Sequence, residues 1–229
     1  MEQGQGIEHE PALGGVIPEG SRHWEATGDE PALRWTDRTG LPTFGSIYQA
    51  RRVETAAGKR WGAVGVAIIV AGPFAILGAF VGSGARIGLG FMLMAFTVGP
   101  LIEEVLKASG ALYLAEQRPW LVPAGWVLPL VALAAGLVFA TIENIVYLNV
   151  YIPDPTPEII RWRWIAGPLL HGGASLIAGL GIRRMWMITD RDLSAPRMSH
   201  AAPFLIAAVV VHGLYNLTVT LLELADVIF

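Results

Sequence analysis

After residue 60 the chain alternates long apolar runs with short polar stretches. Five runs reach the roughly 20 residues needed to cross a bilayer: 61–82, 87–114, 125–151, 164–182 and 202–228. Backbone groups find no water in lipid, so runs of this kind must be helices. The pattern therefore predicts an all-α, polytopic integral membrane bundle of about five transmembrane helices. Small residues such as Gly84 and Gly88, or Gly172, Gly173, Gly179 and Gly181, would let neighbouring helices approach closely. Gly72-Pro73 predicts a kink in the first span. Trp61, Trp120, Trp126, Trp162 and Trp164 fall near span ends, where amphipathic rings prefer to lie.

The first 50 residues read differently. They hold eight acids (Glu2, Glu8, Glu10, Glu19, Glu25, Asp29, Glu30 and Asp37) against Arg22, Arg34 and Arg38. They are also rich in Gly, Pro and Thr, with Glu-Pro-Ala-Leu at 10–13 and again at 30–33. Low hydrophobicity predicts a largely disordered segment, with Trp24, Trp35, Phe44 and Tyr48 as the residues that would anchor it otherwise. We divide the chain into an acidic N-terminal segment, 1–56, and a transmembrane domain, 57–229.

Composition narrows the function. Only 15% of the residues are charged, against about a quarter in soluble domains, and nothing resembles a nucleic-acid footprint. Without cysteine, disulfides and thiol chemistry are excluded. The start, MEQGQGIEHEPALGG, lacks the basic and apolar regions of a signal peptide. Arg51, Arg52, Lys59, Arg60, Arg118, Arg183, Arg184, Arg191 and Arg197 flank one side of the expected spans, and only Arg86, Arg161 and Arg163 the other. That asymmetry predicts a cytoplasmic N-terminus and, with five spans, a C-terminus outside.

Against this background, polar residues inside the spans are conspicuous. Span two carries Glu103, Glu104 and Lys107; span three, Glu143 and Asn144; span four, His171; span five, His212 and Asn216. A charged group at the centre of an inserted helix costs about 2.5–3.5 kcal/mol even on the lenient insertion scale. Such groups should turn inward and meet, enclosing a polar site between spans two and five. Lys107 is one turn from both glutamates, so either carboxylate can pair with it. Glu103 and Glu104 diverge by roughly 100° around the helix, so they are expected to differ in role. Glu104 is slightly preferred as the water-activating residue. His212 and Asn216 share a face.

Three functions use such a cluster. A carboxylate can take a proton from water while a His or Asn steadies the oxyanion, which is peptide hydrolysis. Glu104, Glu143, His171 and His212 also offer a zinc-type donor set, although the H-E-x-x-H signature is absent. A proton- or ion-coupled transporter would use the same Glu and His residues as a relay, but no inverted repeat is visible to support one. An inactive scaffold is the third reading.

Four motifs on consecutive spans carry a resemblance: Glu103-Glu104-x-x-Lys107, Phe139-x-x-x-Glu143-Asn144, His171 with Gly179 eight residues on, and His212-x-x-x-Asn216. Together they resemble the PrsW-type intramembrane protease family, related to the CAAX-protease and bacteriocin-processing superfamily. The resemblance implies a multi-pass protease of the bacterial inner membrane that cleaves membrane-anchored protein or peptide substrates, anti-sigma factors among them. It implies catalytic carboxylates at Glu103 and Glu104, with Glu143, His171 and His212 completing the site. Asn216 would stabilise the oxyanion or orient His212, and Lys107 would hold a carboxylate in place. The family is classed with the metallopeptidases, so the resemblance also allows a zinc ion.

Overall fold

The computed structural model describes residues 42–82 and 88–225, and they form helices with no strand among them. Helix α1 spans Phe44–Glu54, and α2 spans Ala57–Gly82, running through Pro73. Helix α3, Gly88–Leu93, continues through a π turn, Met94–Val98, into α4, Gly99–Gln117. Helix α5, Val127–Val146, ends in a second π turn, Tyr147–Tyr151. Helices α6, Pro157–Asp192, and α7, Ala202–Leu224, complete the bundle.

Among the described residues, four helical stretches are long and apolar enough to cross a membrane: Ala57–Leu77, Val127–Tyr151, Pro157–Asp192 and Ala202–Leu224. The expected all-α, polytopic membrane bundle is borne out, with four such stretches beside the about five spans expected. The remaining run, 87–114, is helical from Gly88 onward and carries Glu103, Glu104 and Lys107 on α4. Helix α6 is also much longer than the expected 164–182. Thr156 caps it by accepting from Ile159 N at 3.4 Å, Pro157 sits at its first turn, and it stops where Leu193 turns left-handed at φ 51°. At about 1.5 Å per residue its 36 residues exceed the bilayer core.

Packing is the reverse of that in a soluble bundle. Ala67, Ala71 and Ala75 of α2 are buried, whereas Val66, Ile69, Val70 and Leu77 on its other side are exposed. Ala108, Ala111 and Ala115 of α4, Ala132 and Ala135 of α5, and Ala174 and Ala178 of α6 fill the interior. Lipid tails are as apolar as leucine, so burying large side chains gains little; small ones let backbones come together. Gly136 is the clearest case. A Cβ there would lie 2.5 Å from both the His171 carbonyl oxygen and Ser175 Oγ, so α5 meets α6 at the site's own level.

At the opposite end of α6, α1 is docked. Tyr48 is buried and its hydroxyl donates to Asp190 Oδ1. Arg52 Nη1 donates to Tyr48 Oη at 3.0 Å and to Val122 O at 3.4 Å, with its guanidinium 5.4 Å from the Trp186 ring. Burial, then the Asp190 bond, pushes the Tyr48 phenol above its ordinary value. The compact unit thus begins at Phe44, and Phe44–Glu54 is helix within the 1–56 segment expected to be largely disordered. Its anchoring comes from Tyr48 and Arg52, one turn apart on one face. The Glu-Pro-Ala-Leu repeat, Trp24 and Trp35 lie outside the described residues.

Candidate active site

Helix α4 turns Glu104 and Lys107 fully inward, each 0% exposed. Lys107 Nζ donates to Glu104 Oε1 at 2.5 Å and to His171 Nδ1 at 2.9 Å, and lies 4.7 Å from the Phe139 ring centre. The same Glu104 oxygen lies 2.8 Å from His212 Nδ1. One buried ammonium therefore joins α4 to α6 directly and, through Glu104, to α7.

These bonds set the proton positions on both imidazoles. An ammonium can only donate, so His171 accepts at Nδ1 and carries its proton on Nε2, which lies 3.1 Å from Glu143 Oε2. A carboxylate with no proton can only accept, so His212 donates from Nδ1 and keeps a lone pair on Nε2. That nitrogen faces Glu103 Oε2 at 3.8 Å. Glu103 Oε2 is buried without a hydrogen-bond partner. Two acceptors thus face each other with no donor between them, a gap suited to a water or a cation. The two imidazole rings meet edge to face, 4.9 Å between centres.

Glu143 and Asn144 are held from α6. Arg163 Nη2 donates to Glu143 Oε2 at 3.1 Å and Arg163 Nε to Asn144 Oδ1 at 3.1 Å, while Asn144 Nδ2 donates to the Arg163 carbonyl at 2.8 Å. The guanidinium also stacks 3.9 Å above the Tyr147 ring.

Asn216 has a backbone task that follows from Pro100. In the π turn Gly99 N bonds Met94 O, the five-residue register. The same register would pair Ala95 O with residue 100, but proline has no N–H to give. Asn216 Nδ2 supplies the donor instead, 2.9 Å from Ala95 O. Next to it, a Cβ on Gly213 would collide with the Phe96 carbonyl oxygen, so only glycine lets α7 lie this close to the turn.

A cavity of about 670 Å³ joins these groups. Glu103, Glu143, His171, His212 and Asn216 line it, and it runs to Ile152, Ile159 and Glu223 at the end carrying the 152–156 loop. Glu104, Lys107 and Asn144 are buried behind it. All eight residues singled out in the sequence therefore converge, Lys107 bridging Glu104 to His171. Arg163 and Tyr147 also line the cavity and were not singled out. The signal for Arg163 was Thr156-Pro157-Glu158, a helix-start pattern that extends the fourth span backward over it.

The donor atoms of Glu103, His171 and His212 all lie within 4.8 Å of one another. Glu104 and Glu143, also expected as metal ligands, pair with Lys107 and Arg163 respectively. The His/His/Glu grouping fits a divalent cation in residue type and spacing. Glu103 Oε2 and His212 Nε2 have free lone pairs for it, and His171 would exchange one of its present partners.

Comparison with known proteins agrees with this geometry. The model of a family described as "PrsW family intramembrane metalloprotease" matches residues 55–229, which covers α2 to α7 and every residue of the site. No curated protein and no solved structure matches the chain. A membrane bundle enclosing two histidines and three glutamates, matched along three quarters of its length, belongs to the PrsW family of intramembrane proteases.

Proposed function

We propose that the chain hydrolyses a peptide bond of a membrane-anchored substrate with a water activated by Glu103. The observation that carries this is Glu103 Oε2, buried without a hydrogen-bond partner and 3.8 Å from His212 Nε2 on the wall of the cavity. A water between them donates one hydrogen to each, which aims its remaining lone pairs away from both. As its oxygen bonds to the scissile carbonyl carbon, its proton passes to Glu103. Glu103 then returns that proton to the departing amine as the C–N bond breaks, leaving a carboxylic acid and an amine. His171 Nε2–H, shared in a three-centre bond with Glu143 Oε2, and the second amide hydrogen of Asn216 are the donors for the oxyanion. This assigns the base to Glu103 rather than Glu104, whose Oε1 already serves Lys107 and His212. The peptidase reading displaces the carrier and the scaffold.

In place of that water, Glu103, His171 and His212 would hold a zinc-type cation, which supplies Lewis-acid polarisation of the carbonyl when bound. The positive-inside pattern supports an orientation with the Arg51, Arg52 and Arg118 end in the cytoplasm of an inner membrane. The cavity then opens on the outer side, toward a substrate whose cut lies in an extracytoplasmic juxtamembrane segment, as an anti-sigma factor would offer.

Reconstitution tests this reading. Protein in liposomes is expected to cut a single-span peptide only in the segment on the side of the 152–156 loop. Failure to cut any membrane peptide, or cutting on the opposite side, would contradict it. Metal analysis of the same sample separates the cation question: about one zinc per chain, lost in His212→Ala, is the result expected if the three groups hold it.

A further inference from the structure

Among the described residues that line the cavity, Arg163 is the only Arg or Lys. It belongs to none of the four motifs. Its guanidinium is held on three sides: by Glu143 Oε2 and Asn144 Oδ1, both at 3.1 Å, and by the Tyr147 ring at 3.9 Å. Asn144, itself 0% exposed, returns a bond to the Arg163 backbone. A Cβ on Gly167, one turn further along α6, would come 3.2 Å from Asn144 Oδ1, so the approach is close and specific. A planar fork in such a seat has one orientation, which a lysine could not reproduce.

What the fork holds matters more than how it is held. Glu143 Oε2 is also the oxygen that receives His171 Nε2–H at 3.1 Å. A carboxylate with one partner can swing about its terminal torsion, whereas one bridged between a guanidinium and an imidazole cannot. We propose that Arg163 is a positioning residue of the hydrolytic reaction, pinning Glu143 Oε2 against His171 Nε2 and so fixing the direction of that N–H at the cavity wall. This rests on the hydrolytic reading above. The competing role is a plain clamp between α5 and α6, which would leave the imidazole as it is.

The experiment reads kcat, KM and the ¹⁵N resonances of His171 in histidine-labelled protein in lipid. Losing the outer partner that orients a working histidine costs about 10–100-fold. Arg163→Met is therefore expected to lower kcat by that factor with KM little changed, and to shift and broaden the His171 Nε2–H resonance as its bond to Glu143 loosens, Nδ1 still accepting from Lys107. Arg163→Lys keeps the charge without the fork and is expected to show the same shift and broadening with a smaller loss; it carries both readouts should the Met variant fail to fold. An unchanged His171 signature in a folded variant, or an unchanged kcat, would overturn the proposal. Glu103→Gln serves as the control, losing turnover with His171 undisturbed. If Glu103→Gln stays active, the hydrolytic reading fails whatever Arg163 does.

Discussion

Replacing Lys107 by Met is expected to disable the protein twice over, in stability and in turnover. Lys107 and Glu104 are both 0% exposed and 2.5 Å apart. Removing one partner of such a pair leaves the other charge buried alone, at about 3–5 kcal/mol. The methionine is close to isosteric, so lost packing is a small part of the effect. Turnover should fall beyond detection, because the ammonium is also the donor that holds His171 in its tautomer and the partner that lets Glu104 receive His212. The double variant Lys107→Met with Glu104→Gln separates the two effects. With no charge left unpaired, most of the stability should return, while turnover should not. Unfolding midpoints in detergent beside liposome cleavage rates measure both. A double variant that recovers its rate would show that the pair is only structural.

The second large effect concerns the two adjacent glutamates. Glu103→Gln is expected to lower kcat by about 10³–10⁴-fold, the upper range for removing a general base, with the helix bundle intact. Its Oε2 has no hydrogen-bond partner to lose, so the amide enters without breaking a bond. Glu104→Gln should behave differently. The amide oxygen can still accept from Lys107 and His212, but it no longer balances the ammonium, so the variant should be less stable and retain measurable turnover. Equal loss in both variants, with equal stability, would contradict the division of labour drawn from the geometry.

Much of the site could be read from the chain because ionisable groups are so costly in lipid that their presence already asked for partners. Glu103, Glu104, Glu143, His171 and His212 could be named on that ground. Which of the first two faces the cavity could not, since Lys107 is within reach of both by helical spacing and only the docking of α6 decides. Asn216 was legible as a polar neighbour of His212, but its bond to Ala95 O depends on a π turn that Pro100 makes intelligible only afterwards. Arg163 was missed by starting the fourth span at 164 and so reading a wall residue as a loop charge. The inward faces of α2, α4 and α5 are alanine-rich and the outward faces large and apolar, so hydrophobic periodicity carries little information on rotation about each helix axis. Family membership rests on the motifs and the match over 55–229; the geometry adds what each motif residue touches.

The central claim is that water held by Glu103 and His212 attacks the peptide directly. A single-turnover reaction in H₂¹⁸O, with wild-type protein in excess over a single-span peptide in liposomes, tests it by mass spectrometry of the product bearing the new C-terminus. The account expects one ¹⁸O in that new carboxylate at the first turnover. An unlabelled carboxylate, with the label appearing on a glutamate of the protein, would mean that a side-chain oxygen attacks first, and would contradict it.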